Sequence, residues 1–257
     1  MKIDQVALQL YTLREHLKTP SDIATSLKKV REIGYSAVQA SGMGPIPEAD
    51  FVQILKEEGL TLCATHESGP EILNETEKVI ERLHKLDCKH TAYPYPAGIN
   101  FGEPGAVAKL AAELDVAGAK MKAAGLTLSY HNHGNEFFKI DGVSILESIY
   151  ALTNPAHLAA ELDTYWVQYG GANPVDWCKK MAGRMPLLHL KDFSCGLDNK
   201  AYFCEIGNGN LDFHGIIAAA EDSGCEWFIV EQDSTPGDPF DSVKISYDYI
   251  RKNLVNA

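Results

Sequence analysis

A single (β/α)8 barrel, a TIM barrel spanning residues 1–257, is the fold to expect of this 257-residue sequence. Short β-branched and apolar runs alternate with helical patterns eight times, at the size and rhythm of that fold. No linker or compositional break interrupts the alternation, so one domain is expected. Polar residues collect where strands three, five, six, seven and eight end. A barrel gathers those ends in one mouth, which becomes the expected active site; the competing architecture, a doubly wound open sheet, strings them along an edge.

The chain opens with the strand Val6-Ala7-Leu8-Gln9-Leu10, which leaves through Tyr11-Thr12-Leu13-Arg14. A helix over 21–33 follows. Ser21 is placed to cap it, Ile23, Leu27 and Val30 recur on one face, and Gly34 stops it. Strand two covers 35–39. After the Gly/Pro-rich turn 42–47, a helix over 48–58 closes at Gly59, and strand three runs over 60–65 to His66-Glu67-Ser68-Gly69. A helix over 71–86, strand four over 90–93, a loop over 94–105 and an alanine-rich helix over 106–124 lead to strand five at 125–129. Strands six, seven and eight cover 158–162, 186–188 and 227–230, with helices over 144–152, 174–182, 213–223 and 241–253 around them. Pro174 opens its helix in the first turn, where a missing N–H costs nothing.

Composition narrows the partners. At 45% hydrophobic and 23% charged the chain can bury a full core. A net charge of −12 argues against a polyanionic partner, because an acidic protein releases no counterions on DNA. No apolar run approaches a membrane span, and Met1-Lys2-Ile3-Asp4-Gln5 lacks a signal peptide's basic and apolar segments. Cys63, Cys88, Cys178, Cys195, Cys204 and Cys225 form no C-x-x-C pair and read as free thiols of a cytoplasmic protein.

The chemistry centres on Tyr130-His131-Asn132-His133-Gly134-Asn135-Glu136-Phe137, which follows strand five. Strands six, seven and eight end likewise, at Asp163, His189 and Glu231. Glu136, Asp163, His189 and Glu231 form a hard, oxygen-rich donor set suited to Mn²⁺, Mg²⁺ or Co²⁺ and tolerant of Zn²⁺. Such an ion can hold a carbonyl oxygen beside a hydroxyl and stabilise the enediolate formed when the intervening proton leaves. Glu136 and Glu231 are the candidates to take that proton.

Singly, each residue has a plainer use. Either glutamate suits a solvated loop, Asp163 could cap the turn before Tyr165, and His189 could be a satisfied core histidine. Their coincidence at successive strand ends favours the joint site. His66, His131, His133, Trp166 and Lys191 are candidates for substrate binding. Of His131 and His133, one is expected to point inward and the other to be structural. Trp166 could stack on a sugar face. Lys191 is expected to pair with Asp192 or to touch substrate, and the pair is preferred. Gly207-Asn208-Gly209-Asn210 could cradle a phosphate, but it carries no lysine or arginine and a plain turn is preferred. Arg184 and His214 are expected on helix surfaces. Neither a Walker loop nor a dinucleotide fingerprint is present.

At these residues the sequence resembles the xylose isomerase-like barrels, in the branch of sugar phosphate isomerases/epimerases. The resemblance runs from Leu8-Gln9-Leu10-Tyr11-Thr12-Leu13-Arg14 to Ile229-Val230-Glu231-Gln232-Asp233. It is most specific at Tyr130 to Phe137, at Glu161-Leu162-Asp163-Thr164-Tyr165-Trp166-Val167 and at Leu188-His189-Leu190-Lys191-Asp192. The branch includes ketose 3-epimerases and inosose dehydratases and isomerases. The resemblance implies a divalent metal, Mn²⁺ foremost, on Glu136, Asp163, His189 and Glu231, with the two glutamates exchanging the proton. It also implies a small-molecule sugar or cyclitol substrate and a homo-oligomer.

A metal-dependent isomerase or epimerase is therefore the first expectation. A lyase or dehydratase using the same enolate is the alternative. A DNA-repair endonuclease of the superfamily would need more mouth histidines and a basic surface, and a non-catalytic sugar-binding barrel would not need all four ligands.

Overall fold

The computed structural model describes residues 1–255. In chain order the elements are β1 (Val6–Gln9), α1 (Pro20–Ile33), β2 (Ala37–Ala40), α2 (Glu48–Glu58), β3 (Thr61–His66), α3 (Gly69–Asn74), α4 (Thr76–Lys85), β4 (His90–Tyr93), α5 (Ala106–Ala123) and β5 (Thr127–His131). There follow the hairpin β6 (Lys139–Ile140) and β7 (Val143–Ser144), then α6 (Ile145–Ala151), β8 (Leu158–Asp163), α7 (Thr164–Tyr169), α8 (Pro174–Lys180) and β9 (Leu187–Leu190). A second hairpin, β10 (Asp192–Cys195) and β11 (Ala201–Cys204), precedes α9 (Phe213–Asp222), β12 (Trp227–Val230) and α10 (Pro239–Asn253).

Eight strands close into a barrel in the order β1-β2-β3-β4-β5-β8-β9-β12. The closing pair is parallel, Ala7 opposite Ile229, while Ala7 also stands opposite Ala37. That closure excludes the open sheet.

Side chains alternate along each strand, so inward positions fall in layers two residues apart. The lowest layer is small and apolar: Ala7, Ala37, Cys63, Ala64, Leu187 and Ile229 cluster there. Two residues on, the same strands carry Gln9, Gln39, His189 and Glu231, all buried. Outward side chains such as Val6, Leu8, Val38, Leu188 and Val230 pack under the helices in the larger apolar cluster. The polar centre thus stands on an apolar floor inside a greasy shell.

Local chemistry accounts for most boundaries. Thr19, not Ser21, caps α1: its hydroxyl accepts from the Asp22 N–H while the Asp22 carboxylate accepts from the Thr19 N–H. The expected helix over 71–86 is two helices separated at Glu75. At Gly118 of α5 an added Cβ would meet the His157 carbonyl oxygen at 2.1 Å, so glycine is what lets the helix lie against the approach to β8. Arg184 is no free surface residue. Its guanidinium donates to the carbonyls of Leu158 and Tyr150 and to the Thr153 hydroxyl, tying the chain before β9 to the foot of β8.

All six cysteines are free. Among the described residues no helix is long and apolar enough to cross a membrane.

Candidate metal centre and substrate cavity

At the C-terminal end of the barrel, the donor atoms of His131, Asp163, His189 and Glu231 all lie within 4.8 Å of one another. Four strand ends supply them: β5, β8, β9 and the residue after β12. A second convergent group, His66, His131, Glu161 and His189, shares two of these histidines. The structure therefore unites Asp163, His189 and Glu231 as expected, but Glu136 joins neither group. Its carboxylate accepts from the Tyr130 hydroxyl and the His133 backbone N–H, both at 3.0 Å, and is fully buried. Residues 135–137 turn into a 3₁₀ segment, which takes Glu136 off the strand, and His131 stands where that carboxylate was expected.

Asp163 caps the following helix, as its position suggested, and also faces the donor group. One oxygen, Oδ1, caps α7 by accepting from the Trp166 N–H at 3.0 Å. The other, Oδ2, is buried without a hydrogen-bond partner, although the Lys191 ammonium lies 3.2 Å away. His131 Nδ1 is likewise buried without a well-directed hydrogen bond, although Glu161 Oε2 lies 3.2 Å away. Buried polar atoms are rarely left so, and two within one donor group are what a bound cation would satisfy. The residues fit a metal ion.

Electrostatics separate the members. Burial opposes the His189 imidazolium, but Glu161 and Glu231 outweigh it and bring the group up to about 10. Burial, aided by cationic His189, pushes His131 well below the usual histidine range and keeps it a neutral donor. Burial would raise Glu231, yet Lys191 and His189 hold it well below the ordinary carboxylate range. Asp163 is pushed by burial up to about 6, against the pull of Lys191 and His189.

Lys191 pairs with Glu231 (2.8 Å), Asp233 (2.9 Å) and Asp163 (3.2 Å), not with Asp192. Its neighbour points away into the 207–211 loop. There the Asp192 carboxylate accepts from the backbone N–H groups of Gly207, Gly209 and Leu211. The possible phosphate cradle is thus filled by the protein's own carboxylate, and the loop is structural.

A cavity of about 410 Å³ opens above the donor group. His66, His131, His133, Lys191, Glu231 and Asp233 line it, together with Tyr11, Arg14 and Tyr95. His131, which ends β5, and His133, two residues beyond it, therefore both reach the cavity. Residues two apart share a strand face, so the expectation that only one would point inward reversed the alternation. His133 is pushed by burial, with Lys191 adding to it, down to about 3 and stays neutral. Trp166 does not itself line the cavity; its ring backs His133, 5.3 Å between centroids.

Below the cavity runs a network the sequence reading passed over. The His66 Nε2 lies 2.5 Å from Glu161 Oε2, Gln39 donates to Glu161 Oε1 at 2.6 Å, and Gln39 Oε1 lies 2.7 Å from His189 Nε2. Gln9 bonds Gln39 in turn. The signal was there: Gln9 and Gln39 are polar at the ends of apolar strands, and Glu161 stands two residues before Asp163 on the same face.

A family model described as a xylose isomerase-like TIM barrel matches residues 27–253. The chain belongs to the xylose isomerase-like TIM barrel family. The chain is 24% identical to an inosose dehydratase of Mesomycoplasma hyopneumoniae over 88% of this chain and 87% of that protein. It is 24% identical to the inosose dehydratase of Clostridium beijerinckii, but over only 56% of this chain and 53% of that protein. With most such relatives the match spans about half their length. Among solved structures, a sugar phosphate isomerase/epimerase from Parabacteroides distasonis superposes with a TM-score of 0.84 at 22% identity, covering 99% of this chain and 96% of that one. An L-ribulose 3-epimerase superposes at 0.75 with 16% identity, over 99% and 95%. These likenesses show the shared fold.

Glu136 yields a prediction of its own. Burial raises it from 4.5 to about 7, so the folded protein binds a proton there more tightly than the unfolded chain. Stability from this group is complete below about pH 4.5 and is lost as pH rises through 7. Glu136→Gln is expected to match the parent in thermal unfolding at pH 4.5 and to melt several degrees higher at pH 8. A variant less stable at pH 8 would show that the carboxylate's two hydrogen bonds outweigh its burial.

Proposed function

We propose that this protein is a divalent-metal-dependent isomerase or epimerase that removes a proton beside the carbonyl of a sugar or cyclitol. One observation carries the reading: Glu231, held charged at a cavity wall, belongs to the same four-residue donor group as His131, Asp163 and His189. These four would hold the ion, with His189 giving up its Nδ1 proton on binding. Two imidazoles and two carboxylates favour Mn²⁺, Co²⁺ or Zn²⁺ over Mg²⁺. When bound, the ion supplies Lewis-acid polarisation of a substrate carbonyl.

The chain's own residues do the rest. Glu231 accepts the proton from the substrate carbon. Lys191, 2.8 Å from Glu231 Oε2, keeps that carboxylate anionic until the proton arrives. His133 offers a ring nitrogen to a substrate hydroxyl, while His66, held by Glu161 and Gln9, shapes the cavity wall, and Trp166 backs His133. Glu136 positions His133 through its backbone N–H and does not itself exchange a proton with substrate.

Elimination of water by a lyase is the second reading, favoured by the distribution of groups around the mouth. β3 and β5 each stand three strands from β12, in opposite directions round the barrel; β3 brings His66 as expected, and β5 leads to His131 and His133 where a second glutamate was expected. Neutral imidazoles and the Lys191 ammonium suit hydrogen bonding to a departing hydroxyl better than a second proton abstraction.

Solvent deuterium incorporation separates the readings. The Mn²⁺-loaded protein is incubated in D₂O with ketoses, inososes and 3-keto-sugars and followed by mass spectrometry. Label without loss of water is the expected result for the isomerase or epimerase, and label with loss of water identifies the lyase. No label on any compound, with metal content verified, would sink proton abstraction altogether.

A further inference from the structure

A second cavity, of about 650 Å³, lies beside the first, and the two share Ser41 and His66. Its walls are the 42–47 loop after β2, Glu67 and Ser68 after β3, and Glu71 and Arg82 from α3 and α4. We propose that the substrate is a two-ring glycoside: a keto-sugar ring sits in the first cavity and a neutral second sugar ring in this one. The proposal rests on the function above only in assigning the keto ring to the first cavity.

Size is the first argument. Pockets for small ligands run to roughly 300–1,000 Å³. The first cavity alone, at about 410 Å³, suits one ring, and its neighbour is larger than itself.

Charge is the second. Arg82 is the cavity's one cation, and it faces Glu67 at 3.6 Å and Glu48 at 3.9 Å, with Glu71 also on the wall. Carboxylates outnumber the guanidinium, so a phosphate or carboxylate tail is repelled while a neutral polyol is not.

The third argument is the wall chemistry. Arg82 Nε is buried and makes no hydrogen bond, its nearest carboxylate, Glu67, standing 3.6 Å away, so a ligand hydroxyl between them could accept from it. Ser41 and Ser68 can donate and accept, and Met43 and Ile46 offer apolar surface to a ring face. His66 marks the boundary, its ring pinned between Glu161 and Gln9, so the glycosidic bond would lie beside it.

Isothermal titration calorimetry on the Mn²⁺-loaded full chain tests this without requiring turnover. The probes are D-fructose, fructose 6-phosphate and three glucosyl-fructoses, turanose, maltulose and isomaltulose. At least one disaccharide is expected to bind tenfold or more tighter than fructose, and fructose 6-phosphate no tighter. Ser68→Trp, which fills the second cavity from an exposed position, is expected to erase the disaccharide's advantage and leave fructose affinity unchanged. Met43→Trp provides the same obstruction from the opposite wall. Equal affinity for one and two rings, no binding by any probe, a preference for the phosphate, or obstruction that weakens fructose equally overturns the proposal. A protein that keeps the two-ring preference but exchanges no deuterium retains the subsite and loses only the reaction. Exchange without the preference does the reverse.

Discussion

Glu231→Gln is expected to lower kcat by about 10²–10⁴-fold, the range over which a positioned general base acts. The amide keeps the size and one acceptor oxygen of the carboxylate but cannot take a proton. Three of the four donor residues, His131, Asp163 and His189, remain, so metal is expected to stay bound with reduced affinity. The measurement is the rate of deuterium exchange at saturating substrate, alongside metal content and circular dichroism. A loss confined to KM, with kcat intact, would move Glu231 from proton transfer to substrate binding.

Lys191→Met is expected to cost about 3–5 kcal/mol of stability at neutral pH in the presence of a chelator. The Lys191 ammonium is buried, and its removal leaves Asp163, Glu231 and Asp233 with only the His189 imidazolium to offset three carboxylates. Added Mn²⁺ is expected to restore much of the loss, because an ion that binds only the folded state stabilises it by mass action, by ~2.7 kcal/mol at a hundredfold excess over Kd. The deficit should narrow below about pH 6, where Asp163, raised to about 6 by burial, accepts a proton. Thermal melts with chelator and with Mn²⁺ at pH 5 and pH 7.5 test this. A variant as stable as its parent in chelator would mean that these carboxylates do not depend on the ammonium.

How much was legible depended on the range of the interaction. The strands at β4 and β12 and the helix α2 could be read to the residue, because apolar runs and glycine stops are local signals. α7 was missed because its six residues need only the Asp163 cap and the aromatic packing of Tyr165 on Phe203, 4.2 Å between centroids, neither visible in a periodicity. The hairpin β10–β11, which supplies Phe203, was missed for the same reason. Asp163, His189 and Glu231 were legible because each terminates a recognisable strand in a residue that an apolar core would not tolerate unpaired.

Glu136 shows where that logic ends. Its distance along the chain from β5 is short, but whether it reaches the mouth depends on the path of residues 132–136, and those residues turn it towards Tyr130. Lys191 is a similar case: adjacency suggested Asp192, whereas alternation sends successive side chains to opposite sides and leaves Lys191 to carboxylates 28, 40 and 42 residues away in the chain, Asp163, Glu231 and Asp233.

The βα rhythm, the closed fold it implies and the chemical character of the strand ends are therefore properties of local sequence, since hydrophobic period and turn residues act within a dozen positions. Which donors meet is a property of the closed barrel. Strand order, stagger and the turns after each strand select His131 over Glu136, aim Lys191 at three distant carboxylates and fill the glycine loop with Asp192. Those choices depend on contacts between residues far apart in the chain, and a one-residue change of path reverses them.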